Sequence, residues 1–317
     1  MNDEGKMAAV QLRLPATSAN LGPGFDAVAV ALDFALEIQA EAAAEFSISA
    51  TGRDAENCAR LEDNLILETY KELMRAHERP IVPLAMRITN GIPLGMGCGS
   101  SAAARLAAIA LAVHFGRLGW DTDRILEKAY ALEGHPDNVA ACWLGGFVSA
   151  VCEGRKVHVA RVEPPGEWRA IVALPAEPLA TSKARAMLPS CYELPDVVTN
   201  LQSVSVLGLA FAQARADLLR LAMNDRIHQP YRAPICPLLP LLQPLVGEKG
   251  ILGVALSGAG PAVLCIIDGE MSFQQASAAI AQAAENRVAT ELIRCRFSHE
   301  GASQLTENKT LGQYKSI

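Results

Sequence analysis

The sequence is poor in aromatic residues, which make up 5% of the chain, so Ala, Leu and Val must fill most of the core. It has no Cys-x-x-Cys pair. Its cysteines stand apart at 58, 98, 142, 152, 191, 236, 265 and 295, several inside apolar runs such as "AVLCII". That scatter speaks against a zinc ribbon or a disulfide framework and predicts buried, reduced thiols. The histidines are dispersed too, without ligand spacing, so no structural transition metal is expected. No block of Lys and Arg occurs and the net charge is -6, which argues against nucleic acid as the main partner. The opening "MNDEGKMAAVQL" lacks the charged-then-apolar order of a signal peptide. Apolar runs of the "AALAVHFG" type are too short and interrupted to span a membrane. These absences predict a cytoplasmic protein with neither a nucleic-acid nor a membrane partner.

What is present is a core-forming chain of 317 residues, 50% hydrophobic, long enough for one large or two ordinary domains. "AVQLRLPA" and "FSISA" alternate like half-buried strands. Residues 63–77 and 100–115 read as helices, and a third helix at 122–133 starts on Asp121 or Thr122 and stops at Gly134. "WLGGFVSAV" reads as a strand broken by glycines. The turn cluster "VEPPGEW" precedes a new strand, "RAIVALP". A helical segment at 196–223, a Pro-rich loop at 228–244, the strand–turn–strand "GVALSGAGPAVLCII" and a helix at 272–286 follow. This order predicts an α+β protein with domains at 1–162 and 163–302 and a polar tail at 303–317.

The stretch "GIPLGMGCGSSAAARLAAIALAV" (91–113) places glycines and two serines directly before a helix, with no lysine. A helix N-terminus leaves backbone N–H groups unpaired and carries partial positive charge. Glycines let a ligand reach that backbone, and Ser100 and Ser101 add hydroxyl donors and are expected to cap the helix. The combination suits phosphate. It is neither a Walker A loop, which needs Gly-Lys-Ser/Thr, nor a dinucleotide fingerprint, whose third glycine is misplaced here.

Three further stretches frame it: "PATSANLGPGFD" (15–26), "EGHPDNVAACWLGG" (133–146) and "LSGAGPAVL" (256–264). Their order and spacing around "PLGMGCGSSAA" resemble the GHMP small-molecule kinases over residues 10 to about 265. One departure is Cys98, where the family usually has leucine; its side chain is expected to pack under the loop. The resemblance implies a two-domain fold: a ribosomal protein S5 domain 2-like N-terminal domain and a ferredoxin-like C-terminal domain. It also implies an ATP- and Mg²⁺-dependent phosphotransferase. Within the superfamily, "PATSANLGPGFD" and "EGHPDN" resemble the branch that phosphorylates the side-chain hydroxyl of L-homoserine in threonine biosynthesis.

Residue roles follow from the resemblance. The phosphate loop would comprise Pro93, Leu94, Gly95, Met96, Gly97, Cys98, Gly99, Ser100, Ser101, Ala102 and Ala103. Asn64 matches a position near adenine and ribose, and as a helix N-cap it has an equally good structural reading. Ser101 and Glu127 are the implied magnesium ligands. Helical geometry by itself makes Glu127 a solvated carboxylate opposite the face of Ile125, Leu126, Ala129 and Leu132. Asn20, Asp26, His135, Asn138, Arg185 and Arg232 are the implied substrate contacts. Asp26 would take the ammonium and the two arginines the carboxylate, since Arg pairs bidentately with carboxylates. His135 has a structural reading as good. Thr181 is expected at the transferring group, and no dedicated base is expected. Another kinase of this superfamily acting on mevalonate, a sugar or a shikimate-like alcohol, a catalytically degenerate sensor and a dinucleotide oxidoreductase are the competing readings. A homodimer is left open.

Overall fold

A computed structural model describes residues 8–304 and 309–310. Alternation builds the first sheet. Val10, Leu12 and Leu14 of β1 (Val10–Asn20) are buried. β1 turns into β2 (Gly24–Ala42), its antiparallel partner. β3 (Ser47–Gly52) runs parallel to β4 (Leu84–Asn90), and between them lie the single turn α1 (Ala55–Cys58) and α2 (Leu65–Ala76). Next come α3 (Ser100–Phe115), α4 (Thr122–Glu133), α5 (Asp137–Leu144), β5 (Phe147–Glu153) and β6 (Lys156–Val162). The alanines of α3 keep it slim, so it packs among α2, α4, α5 and β1 with Ala103, Leu106, Ala107, Ile109 and Leu111 fully buried.

The second sheet holds β7 (Arg169–Pro175), β8 (Ile251–Leu256), β9 (Val263–Ile267) and β10 (Thr290–Cys295), all pairings antiparallel, in the order β10-β7-β9-β8. In chain order this is fourth, first, third, second, the ferredoxin-like arrangement. Between β7 and β8 run α6 (Thr181–Ala186), α7 (Leu194–Ala212), α8 (Ala216–Ala222), α9 (Gln229–Arg232) and α10 (Leu238–Leu242); α11 (Phe273–Ala284) precedes β10.

The chain then returns to the first sheet. Phe297 bridges to Leu32, and Ser298 N–H donates to Ala31 O at 2.9 Å. β11 (Ser303–Gln304) pairs with β1 and with β12 (Lys309–Thr310). Residues after about 296 therefore lie on the first sheet, whereas the sequence assigns them to the second domain and a tail. The remainder of the expected tail lies outside the described residues.

Other expectations shift. Trp143 and Leu144 end α5 instead of opening a strand, because Gly145 (φ 73°) stops the helix there. The Pro-rich stretch at 228–244 folds into α9, α10 and two short 3₁₀ turns. Among the described residues α7 alone is long and apolar enough to cross a membrane, with mean hydropathy 1.2, against the expectation of no such run. One face of it is tied into the fold: Asn200 donates to Pro23 O at 2.8 Å, and Phe211 stacks on Phe147 at 4.3 Å.

Candidate active site

After β4 the chain enters the glycine loop. Gly95, Gly97 and Gly99 all adopt left-handed φ values of 69°, 81° and 74°. A Cβ on Gly97 would collide with Ser257 O, and one on Gly99 with Thr17 Oγ1. The glycines are thus required on the buried side, where the loop presses on β1 and the β8–β9 turn. Cys98 points inward and is fully buried, its thiol pushed up to about 12 by burial. The loop delivers the N-terminus of α3 with Gly99 in the capping position and no side-chain cap, so the expected serine cap is not formed: Ser100 and Ser101 already lie inside the helix.

Two cavities meet at that N-terminus, and Ser100 and Ser101 line both. One, of about 380 Å³, is walled mainly by Leu36, Asn64, Leu65, Ile88 and Ile92. The other, of about 320 Å³, is polar; it is lined by Asn20, Asp26, Glu133, His135, Asp137, Asn138, Thr181, Arg185 and Arg232, with Gly95, Gly97, Gly99 and Ala102. Leu94 faces the first cavity. Pro93, Met96, Cys98 and Ala103, expected in the phosphate loop, line neither, because alternate loop residues turn into the core.

Asn64 does what a helix cap does. Its Oδ1 accepts from Ile66 N and Leu67 N, and its amide donates to Cys58 O and Arg60 O, so the side chain forms wall without a spare donor.

The turn between β1 and β2 is held in an uncommon shape. Asn20 and Asp26 have φ 71° and 56°, and Asn20 Oδ1 accepts from Asp26 N at 3.0 Å while its amide donates to Gly258 O at 2.8 Å. Asp26 accepts a bidentate pair from Arg185 at 2.7 and 2.9 Å. That bond holds the Arg185 guanidinium above its usual range. Arg232 is 1% exposed and, among the described residues, forms no direct ion pair, although Asp26 and Asp225 are near enough to act on its charge. Its Nη1–H points at the ring Nδ1 of His228 at 3.2 Å, and Nε–H at Ala184 O at 3.3 Å. Burial, and then the charge of Arg185, hold its pKa below the ordinary value. Phe25 packs against both cations, 5.4 Å from Arg185 and 5.2 Å from Arg232.

At the opposite wall Ser101 Oγ donates to Glu133 Oε1 at 2.6 Å. Arg105 Nε lies 2.6 Å from the same oxygen but out of line for a hydrogen bond, so its contact with Glu133 is ionic. Glu127 is not here. It lies about one and two-thirds turns back along α4 and pairs with Arg124 at 3.0 Å, away from the cavity. The expectation that Glu127 joins Ser101 is corrected to Glu133: six helical residues rotate the side chain by 240°. Glu133 stands in "EGHPDN" itself. The signal that marks it is a carboxylate at the end of a helix, where the dipole disfavours anions.

His135 Nδ1 lies 2.8 Å from Asp137 Oδ1, which also accepts from Asn138 N at 2.6 Å. Thr17 Oγ1 donates to Asn138 Oδ1 at 2.6 Å. Burial would lower the His135 pKa, but Asp137, helped by Asp26 and Glu133, outweighs it and raises the pKa. Asp26, His135 and Asp137 also bring three possible ligand atoms within 4.8 Å of one another. Asp26 and Asp137 are already engaged, to Arg185 and to His135 with Asn138. Ser101 with Glu133 at the loop is the better hard-oxygen pair for a magnesium ion. Besides Glu133, sequence reading passed over Phe25, Asp137 and His228.

Comparison with known proteins decides the family. Residues 64–146 match the GHMP kinases N terminal domain and residues 209–286 the GHMP kinases C terminal domain. A homoserine kinase of Solibacter usitatus is 40% identical over 92% of this chain and 95% of its own. The chain belongs to the GHMP kinase family. It is an ATP-dependent small-molecule kinase. A homoserine kinase of Moorella thermoacetica is 38% identical to this kinase, over 81% of this chain and 87% of its own. The crystal structure of homoserine kinase from Cytophaga hutchinsonii superposes with a TM-score of 0.80 at 22% identity, covering 96% of the kinase and 99% of that chain. The L. major mevalonate kinase, solved with R-mevalonate, shares the fold at a TM-score of 0.65 and 14% identity, over 92% of the kinase and 95% of that chain.

Proposed function

We propose that the kinase transfers the terminal phosphoryl group of Mg-ATP to the side-chain hydroxyl of L-homoserine, giving O-phospho-L-homoserine and ADP, as a step toward threonine. The observation that carries this reading is Arg232, a buried guanidinium with no carboxylate partner, in one cavity with Asp26 and Arg185. A buried cation without a direct ion-pair partner is costly, and an amino-acid carboxylate is the partner that fits it. The relatives named homoserine kinase support the same substrate.

The apolar cavity beside Asn64 takes the base and ribose of ATP, and the polyphosphate crosses Ser100 and Ser101 into the polar cavity. Backbone N–H groups of the glycine loop and of the first turn of α3 hold it, since no lysine lines either cavity. Ser101 and Glu133 would hold Mg²⁺, which when bound neutralises phosphate charge. Asp26 binds the substrate ammonium, Arg232 and Arg185 its carboxylate, and Asn20, Asn138 and Thr181 surround the hydroxyl. The bond from the γ-phosphorus to the ADP oxygen breaks as the bond to the hydroxyl oxygen forms, and the hydroxyl proton leaves on a phosphate oxygen. Asp26, Glu133 and Asp137 each already have a partner, which supports transfer by positioning without a dedicated base. The eight free thiols support a reducing compartment such as the cytoplasm. The exposed residues Leu194, Val198, Leu201 and Leu209 of α7 offer the surface for a homodimer.

ADP release from Mg-ATP with L-homoserine, mevalonate and galactose tests the substrate. Homoserine is expected to turn over alone. Turnover of mevalonate or galactose with homoserine inert overturns the reading.

A further inference from the structure

The polar cavity contains a complete ion pair. Asp26 and Arg185 face each other bidentately at 2.7 and 2.9 Å, one from the β1–β2 turn and one from α6. Both side chains are about one-third exposed to the cavity, at 32% and 38%. Arg232, by contrast, is fully buried and holds only neutral acceptors. The site therefore offers an incoming ligand one free cation and one neutralised pair, not two cations and an anion. Phe25 packs its ring against both guanidiniums.

We propose that the Asp26–Arg185 pair is a charge lock that makes the site selective for zwitterions, an inference that rests on the proposed amino-acid substrate. A ligand ammonium must draw Asp26 away from Arg185, which strands a guanidinium in a half-buried site. A ligand carboxylate alone finds Arg232 free but Arg185 committed. A zwitterion exchanges one ion pair for two: its ammonium takes Asp26, and its carboxylate takes Arg185 together with Arg232. Discrimination against singly charged ligands thus arises from the partner left unpaired as well as from the contact they lack. The backbone supports the exchange. Asp26 is fixed in a left-handed conformation by Asn20, so Arg185 on its longer, flexible stem is the member that moves.

Calorimetry without nucleotide tests this with three probes: L-homoserine, 4-hydroxybutanoate, which lacks the ammonium, and 3-aminopropan-1-ol, which lacks the carboxylate. Asp26→Asn frees Arg185 and is expected to tighten 4-hydroxybutanoate about tenfold while weakening homoserine. Arg185→Gln frees Asp26 and is expected to tighten 3-aminopropan-1-ol by a like factor while weakening homoserine. Glu133→Gln is the control, because it removes a negative charge from the same cavity without touching Arg185. It should change 4-hydroxybutanoate binding by less than about threefold. Equal tightening in Glu133→Gln and Asp26→Asn reduces the effect to net charge and overturns the lock. So does any result in which neither variant binds its singly charged probe more tightly than wild type. The wild-type turnover assay is separate, so a wrong substrate and a wrong lock give different failures.

Discussion

At the residue scale, each proposed role can be tested against a neighbour that lacks it. Glu133 touches Ser101 and lines the polar cavity, while Glu127, on the same helix, pairs with Arg124 outside it. Glu133→Gln should lower kcat at least about a hundredfold and shift the Mg²⁺ dependence, as loss of an active-site charge contact does. Glu127→Gln should leave kcat near wild type and stability within about 0.5 kcal/mol. Steady-state kinetics across a magnesium titration separates them; equal losses would return the role to Glu127. Arg232→Lys keeps the charge but loses the fork, and should raise the homoserine KM about tenfold or more with the ATP KM unchanged. His228 is fully buried; its Nε2–H donates to Gly22 O at 2.7 Å, so Nδ1 is left to accept from Arg232. Burial lowers its pKa, with Arg232 adding to the effect and Asp225 opposing it. The folded state therefore prefers neutral His228, and below about pH 6.5 the unfolded chain binds the extra proton more readily. Stability should fall as pH drops through that window, and thermal melts of His228→Gln should show a shallower acid-side loss. The resemblance named Asp26, Arg185 and Arg232 together, and the structure brings all three into one cavity. Phe25 and His228 were not legible in the sequence, since their value lies in contacts with residues about 200 positions away in the chain.

At the element scale, the glycine loop was readable as an anion cradle, but the reason for its glycines was not. The sequence suggests ligand approach; in the fold the crowding lies on the other side, against Thr17 and Ser257. Gly99→Val should therefore do more than obstruct phosphate. The new side chain would push Thr17 Oγ1 off Asn138, which is its acceptor at 2.6 Å, and disturb the substrate wall as well. Loss of both nucleotide and homoserine binding is expected, together with destabilisation of about 1–3 kcal/mol from overpacking and a strained φ. Calorimetric titration of each ligand on the folded variant checks this. Selective loss of ATP binding would favour the simpler account. The helix start at Thr122 and the stop at Gly134 were legible because a capping aspartate and a glycine are local signals, whereas α3 starts at Ser100 with no side-chain cap. β2 was not recognised, because its Ala and Leu fit a helix as well as a strand and only its pairing with β1, β4 and β5 decides.

At the scale of the whole molecule, the two sheets are joined by more than the link between Val162 and Arg169. Aromatic contacts cross from one to the other: Phe211 of α7 stacks on Phe147 of β5 and meets Trp168 and Phe297 edge-on. Phe297 follows the last strand of the second sheet, yet it bridges to Leu32 of the first. The chain thus closes its second domain and then fastens itself to the first. The sequence could not disclose this, because "RCRFSHEG" carries no periodic pattern and its partners are some 265 residues earlier. The substrate cavity draws Asp26 and Glu133 from the first half of the chain and Arg185 and Arg232 from the second, so its geometry depends on this fastening. Phe297 is 6% exposed, and Phe297→Ala should cost about 3–5 kcal/mol through the cavity left among these rings. Because the rings belong to both halves, the loss should lower one shared melting transition. Differential scanning calorimetry distinguishes the outcomes. A single transition moved to lower temperature is expected, with substrate affinity falling as the halves loosen. A split in which the second domain melts at the wild-type temperature would show that the halves are stable separately and that Phe297 serves the first sheet alone.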